Sequence, residues 1–265
     1  MIKSNISRHI VAALMLIIAT VFPAVAQTLA EQADAAYTAD DYATAIELYN
    51  RAAAEDGTSS VLFYNLGNAY YRNGELGKAI LNYRRALRLD PGNADALANL
   101  EFVNSKIIDK PVDNDSLTDK ISDRVINLMT ADGWAYTTAA LFLLFILFTA
   151  GYIFVNSVGL RKASFFLALI FLFASIFGVV VSISAANRQL DNNDAVILSE
   201  SVQLSTSPRH PKDKSEEALL LHEGTCVHII DSLRVQGVSD NPLWYEVTVN
   251  KEHRAWINSA DVERI

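Results

Sequence analysis

One cysteine, Cys226, occurs in 265 residues. It leaves no partner for an intrachain disulfide and no second thiol for a Cys-x-x-Cys zinc or redox motif. Cations are also in short supply: 22 Lys and Arg stand against 30 Asp and Glu, the net charge is −8, and no Lys/Arg-rich run interrupts the chain. A nucleic-acid partner therefore lacks its electrostatic footprint. There is no P-loop, no G-x-S-x-G and no H-E-x-x-H, so the common nucleotide, hydrolase and zinc-protease signatures are missing. Charge is absent altogether from two long stretches, Trp134 to Val155 and Ala163 to Ser184. With 51% hydrophobic residues and a mean hydropathy of +0.18, that absence points to a membrane protein.

The chain begins with Lys3 and Arg8, an apolar run from Ile10 to Phe22, and Ala24-Val25-Ala26 before Gln27. This predicts a cleaved secretory signal peptide over 1–26, since the run is too short to span a bilayer. The two uncharged stretches predict transmembrane helices over 134–155 and 163–184, joined by a short loop over 156–162. Arg161 and Lys162 are the only charges in that loop, whereas Asp119, Asp123, Asp132, Asp191 and Asp194 crowd the outer flanks. The positive-inside rule places the loop in the cytoplasm. The signal peptide independently sends residue 27 onward across the membrane, so both soluble parts are expected in the periplasm, held at the inner membrane. No ionisable residue lies within either span, so nothing supports a proton relay or ion path.

A constant offset places Ala45, Tyr49 and Ala52 over Ala79, Tyr83 and Ala86, with Ala33 over Gly67. The offset equals the period of a helix-turn-helix repeat of the tetratricopeptide length. Phe63, Leu66-Gly67, Tyr70, Ala79, Tyr83, Ala86 and Pro91 resemble the tetratricopeptide repeat nearly completely. A first copy before it is degraded, with Gln32 and Ala36 in place of Leu and Tyr. Small residues at Gly67, Ala79 and Ala86 let two helices approach while Leu66, Tyr70 and Tyr83 fill the space around the contact. A half-repeat over about 94–108 is expected as a polar-faced capping helix, giving an all-α stack over 27–108. The resemblance implies a concave groove that takes peptides. Asn65 and Asn99, one repeat length apart, would hold an extended backbone, flanked by Tyr64, Asn68, Tyr71 and Arg72; the equally weighted alternative is local hydrogen bonding and helix coverage. Residues 109–133 read as an acidic linker and an amphipathic helix, in which Ile121, Val125, Leu128 and Met129 share a face on the membrane surface.

After a linker over 185–194 the periodicity shifts to two, with short apolar runs at 195–198, 218–221, 225–231, 244–249 and 255–257. This predicts an all-β barrel over 195–265. Glu223-Gly224-Thr225, Trp244-Tyr245-Glu246-Val247 and Ala255-Trp256-Ile257 before Asp261-Val262 resemble bacterial SH3 domains, although Ala255 stands where those usually carry Gly. Members bind peptides or cell-wall stem peptides. His222, His228 and His253 fall in this part without a carboxylate or Cys at a recognisable ligand spacing, so strand or surface histidines are expected, and Cys226 reads as a buried thiol. No catalytic, cofactor or metal residue is assigned.

Signal peptide, repeat stack, two-span hairpin and terminal SH3-like domain, in that order, resemble the BatE family of the Bacteroides aerotolerance (Bat) operons. The resemblance implies a non-enzymatic periplasmic scaffold linked to envelope or oxidative stress. It would work beside membrane proteins with von Willebrand A domains, and indirectly with a MoxR-type ATPase. The rival reading is a peptidoglycan-binding envelope sensor.

Overall fold

The computed structural model describes residues 28–111, 116–235, 242–249 and 253–265; the expected signal peptide lies outside them. Five helices come first: α1 (Leu29–Thr38), α2 (Tyr42–Glu55), α3 (Ser60–Asn73), α4 (Leu76–Leu89) and α5 (Ala94–Asn104). Their starts are written in the sequence as capping residues. Thr28 and Glu31 form a reciprocal capping box, while Asp41, Ser59 and Asn93 accept from the backbone N–H of Thr44, Leu62 and Ala96. Helix α3 stops at Gly74, whose φ of 88° is the left-handed conformation a helix end favours. Ala33, Ala45, Tyr49, Ala52, Leu66, Tyr70, Ala79, Tyr83 and Ala86 are buried between the helices. The need for Gly67 is geometric: a Cβ there would stand 2.8 Å from two ring carbons of Tyr83. The closing helix α5 departs from the expected polar face. It buries Ala96, Leu100 and Val103 but leaves Leu97 and Phe102 46% and 50% exposed.

Beyond the stack, α6 (Leu117–Ile126) leads into two long helices, α7 (Ala131–Phe154) and α8 (Val158–Leu190). Both are long and apolar enough to cross a membrane. They pack side by side along small residues: a Cβ on Gly178 would collide with the Thr138 hydroxyl oxygen. Phe142, Leu143, Ile146, Leu147, Phe166, Ile170, Phe173 and Phe177 face outward, a surface suited to acyl chains rather than water. The connection is shorter than the expected 156–162, because α8 already starts at Val158 and carries Arg161 and Lys162 in its opening turns. At the other end α8 runs on to Leu190, past the expected end of the span at 184. There Ile126 of α6 packs on Val181 and Ala185. The Trp134 indole N–H donates to the Ile126 carbonyl at 3.1 Å, and Arg188 pairs with Asp123.

The C-terminal part is one antiparallel sheet of β1 (Asp194–Ile197), β2 (Ser201–Ser205), β3 (Glu217–His222), β4 (Cys226–Arg234), β5 (Leu243–Val249), β6 (His253–Asn258) and β7 (Val262–Arg264). Its order is β3-β2-β6-β5-β4-β1-β7. The expected closed barrel is replaced by an open sheet, since β3 and β7 each pair on one side only among the described residues. Register shifts between Gln203 and Ser205 and between Ile229 and Asp231 mark bulges that bend it. Alternate residues of β4, Val227 and Ile229, enter the core and His228 faces out, the period-two burial of a half-covered strand.

The helical stack and the sheet, read from the sequence as two modules, share a core. Val196 of β1 is fully buried among the helical residues. The Gly77 N–H, in the first turn of α4, donates to Glu223 Oε1 at 2.7 Å, and a Cβ on Gly77 would strike the Glu223 side chain at 2.6 Å. Gly224 meets Ile80 and Ile107 so closely that an added Cβ would stand 2.8 Å from each. The Asp109 carboxylate accepts from the His222 backbone N–H at 2.6 Å and the Thr225 hydroxyl at 2.9 Å. Arg85 pairs with Glu263 at 2.8 Å.

Candidate peptide groove

Along one side of the stack a hydrogen-bonded unit recurs on the first helices of successive pairs, α1, α3 and α5. In the first unit Asp34 on α1 accepts from the Tyr49 hydroxyl on α2 and, at 3.3 Å, from the Asn65 amide on α3. In the second, Asn68 on α3 accepts from the Tyr83 hydroxyl on α4 at 2.7 Å and from the Asn99 amide on α5 at 2.9 Å. Each member of the second unit lies one full repeat after its counterpart: Asn68 after Asp34, Tyr83 after Tyr49, Asn99 after Asn65. Each unit thus ties both helices of one pair to the first helix of the next. Burial first, and then the Asp34 carboxylate, pushes the Tyr49 phenol well above its ordinary pKa; burial does the same to Tyr83. Both hydroxyls therefore stay protonated donors.

A primary amide carries two N–H donors and an acceptor oxygen. Asn65 and Asn99 each donate to the shared oxygen of the unit and also meet its tyrosine hydroxyl, which leaves the amide carbonyl oxygen to meet a ligand. Two hollows adjoin along this surface. One of about 230 Å³ is lined by Asp34, Tyr37, Thr38, Tyr49, Asn65 and Asn68. The next, about 200 Å³, is lined by Tyr37, Asn68, Tyr71, Arg72, Tyr83, Asn99, Phe102 and Val103. Sharing Tyr37 and Asn68, they form one trough with an amide floor and aromatic walls.

Of the six residues singled out from the sequence, the trough brings Asn65, Asn68, Tyr71, Arg72 and Asn99 together. Tyr64 lies half-buried with its ring 6.2 Å from that of Tyr83, outside the lining of either hollow. Tyr71 meets Phe102 edge to face at 5.7 Å, and the Lys106 ammonium sits 4.6 Å from the Phe102 ring centre. Arg72 is held by Asp40 at 3.2 Å and stands over the Tyr42 ring at 4.6 Å. Sequence reasoning missed Asp34, Tyr37 and Phe102. Asp34 carried a signal, its offset from Asn68 by one repeat length, whereas Phe102 was obscured by the expectation of a polar cap.

Residues 60–93 match the tetratricopeptide repeat. The matched segment is α3, α4 and the turn after them, which places the second hydrogen-bonded unit largely inside the repeat and the first on its degraded neighbour. No curated protein matches the chain. Tetratricopeptide repeats are typically non-catalytic scaffolds whose curved surfaces serve protein–protein interaction. Away from the trough, two of the histidines of the sheet are individually engaged, His222 by Asp109 at 3.2 Å and His228 by Asp194 at 2.9 Å. Burial raises the pKa of the Cys226 thiol, the opposite of what activates a nucleophile. Among the described residues no group of three or more His, Cys, Asp or Glu is placed to hold a metal ion.

Proposed function

We propose that this chain is a non-enzymatic, membrane-held scaffold whose trough grips an extended segment of a partner protein. The observation that carries the reading is the pair of hydrogen-bonded units one repeat apart, which present amide carbonyl oxygens along one surface. A row of amides suits a peptide backbone, whose donors and acceptors recur whatever its side chains, so capture tolerates variation in ligand sequence. Each net hydrogen bond contributes only about 0.5–1.5 kcal/mol, and affinity is correspondingly modest. Anchorage of both proteins in one membrane offsets that weakness by raising the effective concentration.

In this reading the stack and the sheet face the periplasm and the α7–α8 connection faces the cytoplasm, as Arg161, Lys162 and the signal-peptide pattern support. The sheet is an SH3-like domain, on the strength of Trp244-Tyr245 and Ala255-Trp256-Ile257. The order of parts supports a place in a Bat-type aerotolerance or envelope-stress complex, with von Willebrand A-domain membrane proteins as direct partners and a MoxR-type ATPase acting through them. A photocrosslinking residue at Asn68 in the full chain, activated in native membranes and followed by mass spectrometry, tests the assignment. Adducts to a membrane protein with a von Willebrand A domain are expected. Absence of protein adducts, with retention of the full chain on purified peptidoglycan, would make it an envelope sensor instead.

A further inference from the structure

The spans emerge on the soluble side at Ala131, which opens α7, and near Arg188 and Gln189 toward the end of α8. Helix α4 comes down to that level. Between them lies a cavity of about 210 Å³ whose lining includes Arg84, Arg88 and Arg188 on one hand and Leu87, Ile126, Met129 and Ala185 on the other. We infer that this cavity binds the headgroup of an anionic phospholipid of the membrane that the hairpin spans, with Arg84 as the principal phosphate donor.

Of the side chains that line the cavity, Arg84 is one that the fold leaves unsatisfied. Its Nε is buried and without a hydrogen-bond partner. A buried guanidinium donor left unmade is costly, and in a native state such an orphan implies a ligand or solvent. Its neighbours on α4 are engaged: Arg85 with Glu263, and Arg88 with the main-chain oxygens of Gln189 and Ile265 and the side-chain oxygen of Asn192. Arg88 is therefore already spent, on the oxygens of Gln189, Asn192 and Ile265. Asp191 and Asp194 also line the space. Asp194 is shared with His228, and Arg188 is shared with Asp123. Of the three guanidinium groups in the lining, Arg84 is the one with no hydrogen-bond or ion-pair partner among the described residues.

The apolar half of the lining decides between a lipid and a free anion. Ile126, Met129, Leu87 and Ala185 offer nothing to a hydrated phosphate, but they suit the apolar part of a lipid, and Leu128, next to Met129 in the chain, is exposed. Arginine forks match phosphate oxygens, and a guanidinium free of a carboxylate partner at the level of the helix ends is placed to meet a headgroup.

This inference rests on α7 and α8 crossing a membrane, so the experiment tests both. The full chain is reconstituted in nanodiscs of equimolar phosphatidylglycerol and phosphatidylcholine, and the lipid retained after mild delipidation is measured by native mass spectrometry. Preferential retention of phosphatidylglycerol is expected. Arg84→Gln should weaken it about tenfold, the equivalent of one charge-assisted hydrogen bond, and Arg209→Gln on the exposed loop between β2 and β3 should not. Equal retention by wild type and Arg84→Gln overturns the site. In wild type, a photoactivatable phosphatidylglycerol should label α4, α6 and the end of α8; labels spread evenly over α7 and α8 also overturn it. Protection against unfolding by inorganic phosphate alone, in detergent, would make the ligand a free anion and not a lipid. Failure of the chain to remain with vesicles after alkaline washing would remove the membrane reading itself.

Discussion

Asn68 occupies in the second repeat the place that Asp34 occupies in the first, and each gathers a tyrosine hydroxyl and an asparagine amide onto a single side-chain oxygen. The same contacts thus serve two purposes, locking adjacent helix pairs and fixing the rotamers of the amides that face the trough. Changing Asn65 and Asn99 together to Ala should therefore act on both. Loss of two partly exposed hydrogen bonds lowers stability by about 1–3 kcal/mol in total, while the far-ultraviolet circular dichroism at room temperature keeps its helical form. Recovery of partner from membranes should fall further than this destabilisation explains. Undiminished recovery by the folded double variant would move the docking surface to the sheet or the hairpin.

Tyr83 gives a pH signature to the same unit. Burial raises its folded pKa above the ordinary value of 10.0. In the unfolded chain the phenol ionises from about pH 10, so the stability this residue contributes is complete below that point and is lost as pH rises toward the folded value. Tyr49 behaves alike, with Asp34 adding to the effect of burial. Chemical denaturation of the full chain from mildly to strongly alkaline pH should show stability falling at the alkaline end. Tyr83→Phe should cost about 0.5–1.5 kcal/mol at neutral pH, because Asn68 loses a donor, and should make the alkaline fall shallower. An unchanged slope would place Tyr83 outside the buried unit.

The parts of this protein that were legible in its sequence depend on short-range repetition. The constant repeat offset showed Asn65 and Asn99 on equivalent helices. The uncharged stretches declared the two long helices by composition alone. What lay hidden depends on pairing at a distance. Nothing local in Val196 says that it enters a helical core, and nothing in Gly77 says that its N–H awaits Glu223, which follows only after both long helices. Strand runs were visible at 218–221 and 244–249. Whether the sheet closes is decided by which edges meet, and β3 and β7 remain apart. The partial commitment of Asn99 was equally hidden, because its partner Asn68 had been read only as another groove residue.

Gly67 tests the register of the helix pair. The Cβ of Gly67→Ala would stand 2.8 Å from the Tyr83 ring, and the ring is fully buried with little room to retreat. Overpacking of this kind costs about 1–3 kcal/mol, even though Ala is the better helix former. Gly74→Ala, with φ of 88° and open space around it, would suffer by backbone strain alone. Pairing Gly67→Ala with Tyr83→Leu should restore part of the loss, since a smaller side chain relieves the clash. A melting temperature for Gly67→Ala equal to that of wild type would contradict the contact.

Membrane topology gives a prediction independent of the folded core. With Cys226→Ala as background, a cysteine replacing Gly159 near the start of α8 should be shielded from an impermeant thiol reagent in cells whose outer membrane alone is permeabilised. A cysteine replacing Lys214, on the exposed loop between β2 and β3, should be labelled under the same conditions. Disruption of the inner membrane should then expose position 159. The reverse pattern would put the soluble parts in the cytoplasm and set Arg161 and Lys162 against the positive-inside rule.

Glu223 bears on whether the stack and the sheet act as one body. Its carboxylate accepts from Gly77, next to the point where Gly224 packs on Ile80 and Ile107. A hydrogen bond to a charged group is worth about 1.5–3 kcal/mol, and removing the acceptor also leaves the Gly77 N–H unsatisfied at a partly buried position. In wild type the shared core around Val196 should make the helices and the sheet unfold in a single transition, read alike by far-ultraviolet circular dichroism and by fluorescence of Trp244 and Trp256 in variants lacking Trp134. Glu223→Ala should separate the two signals, with the sheet melting first because its core is the smaller and its edges are open. The same logic predicts that residues 195–265 expressed alone will show weak protection in hydrogen exchange at β1, since Val196 would then face water. Two transitions already present in wild type, or full protection of β1 in the isolated sheet, would mean that the contact holds the parts in place without coupling their folding.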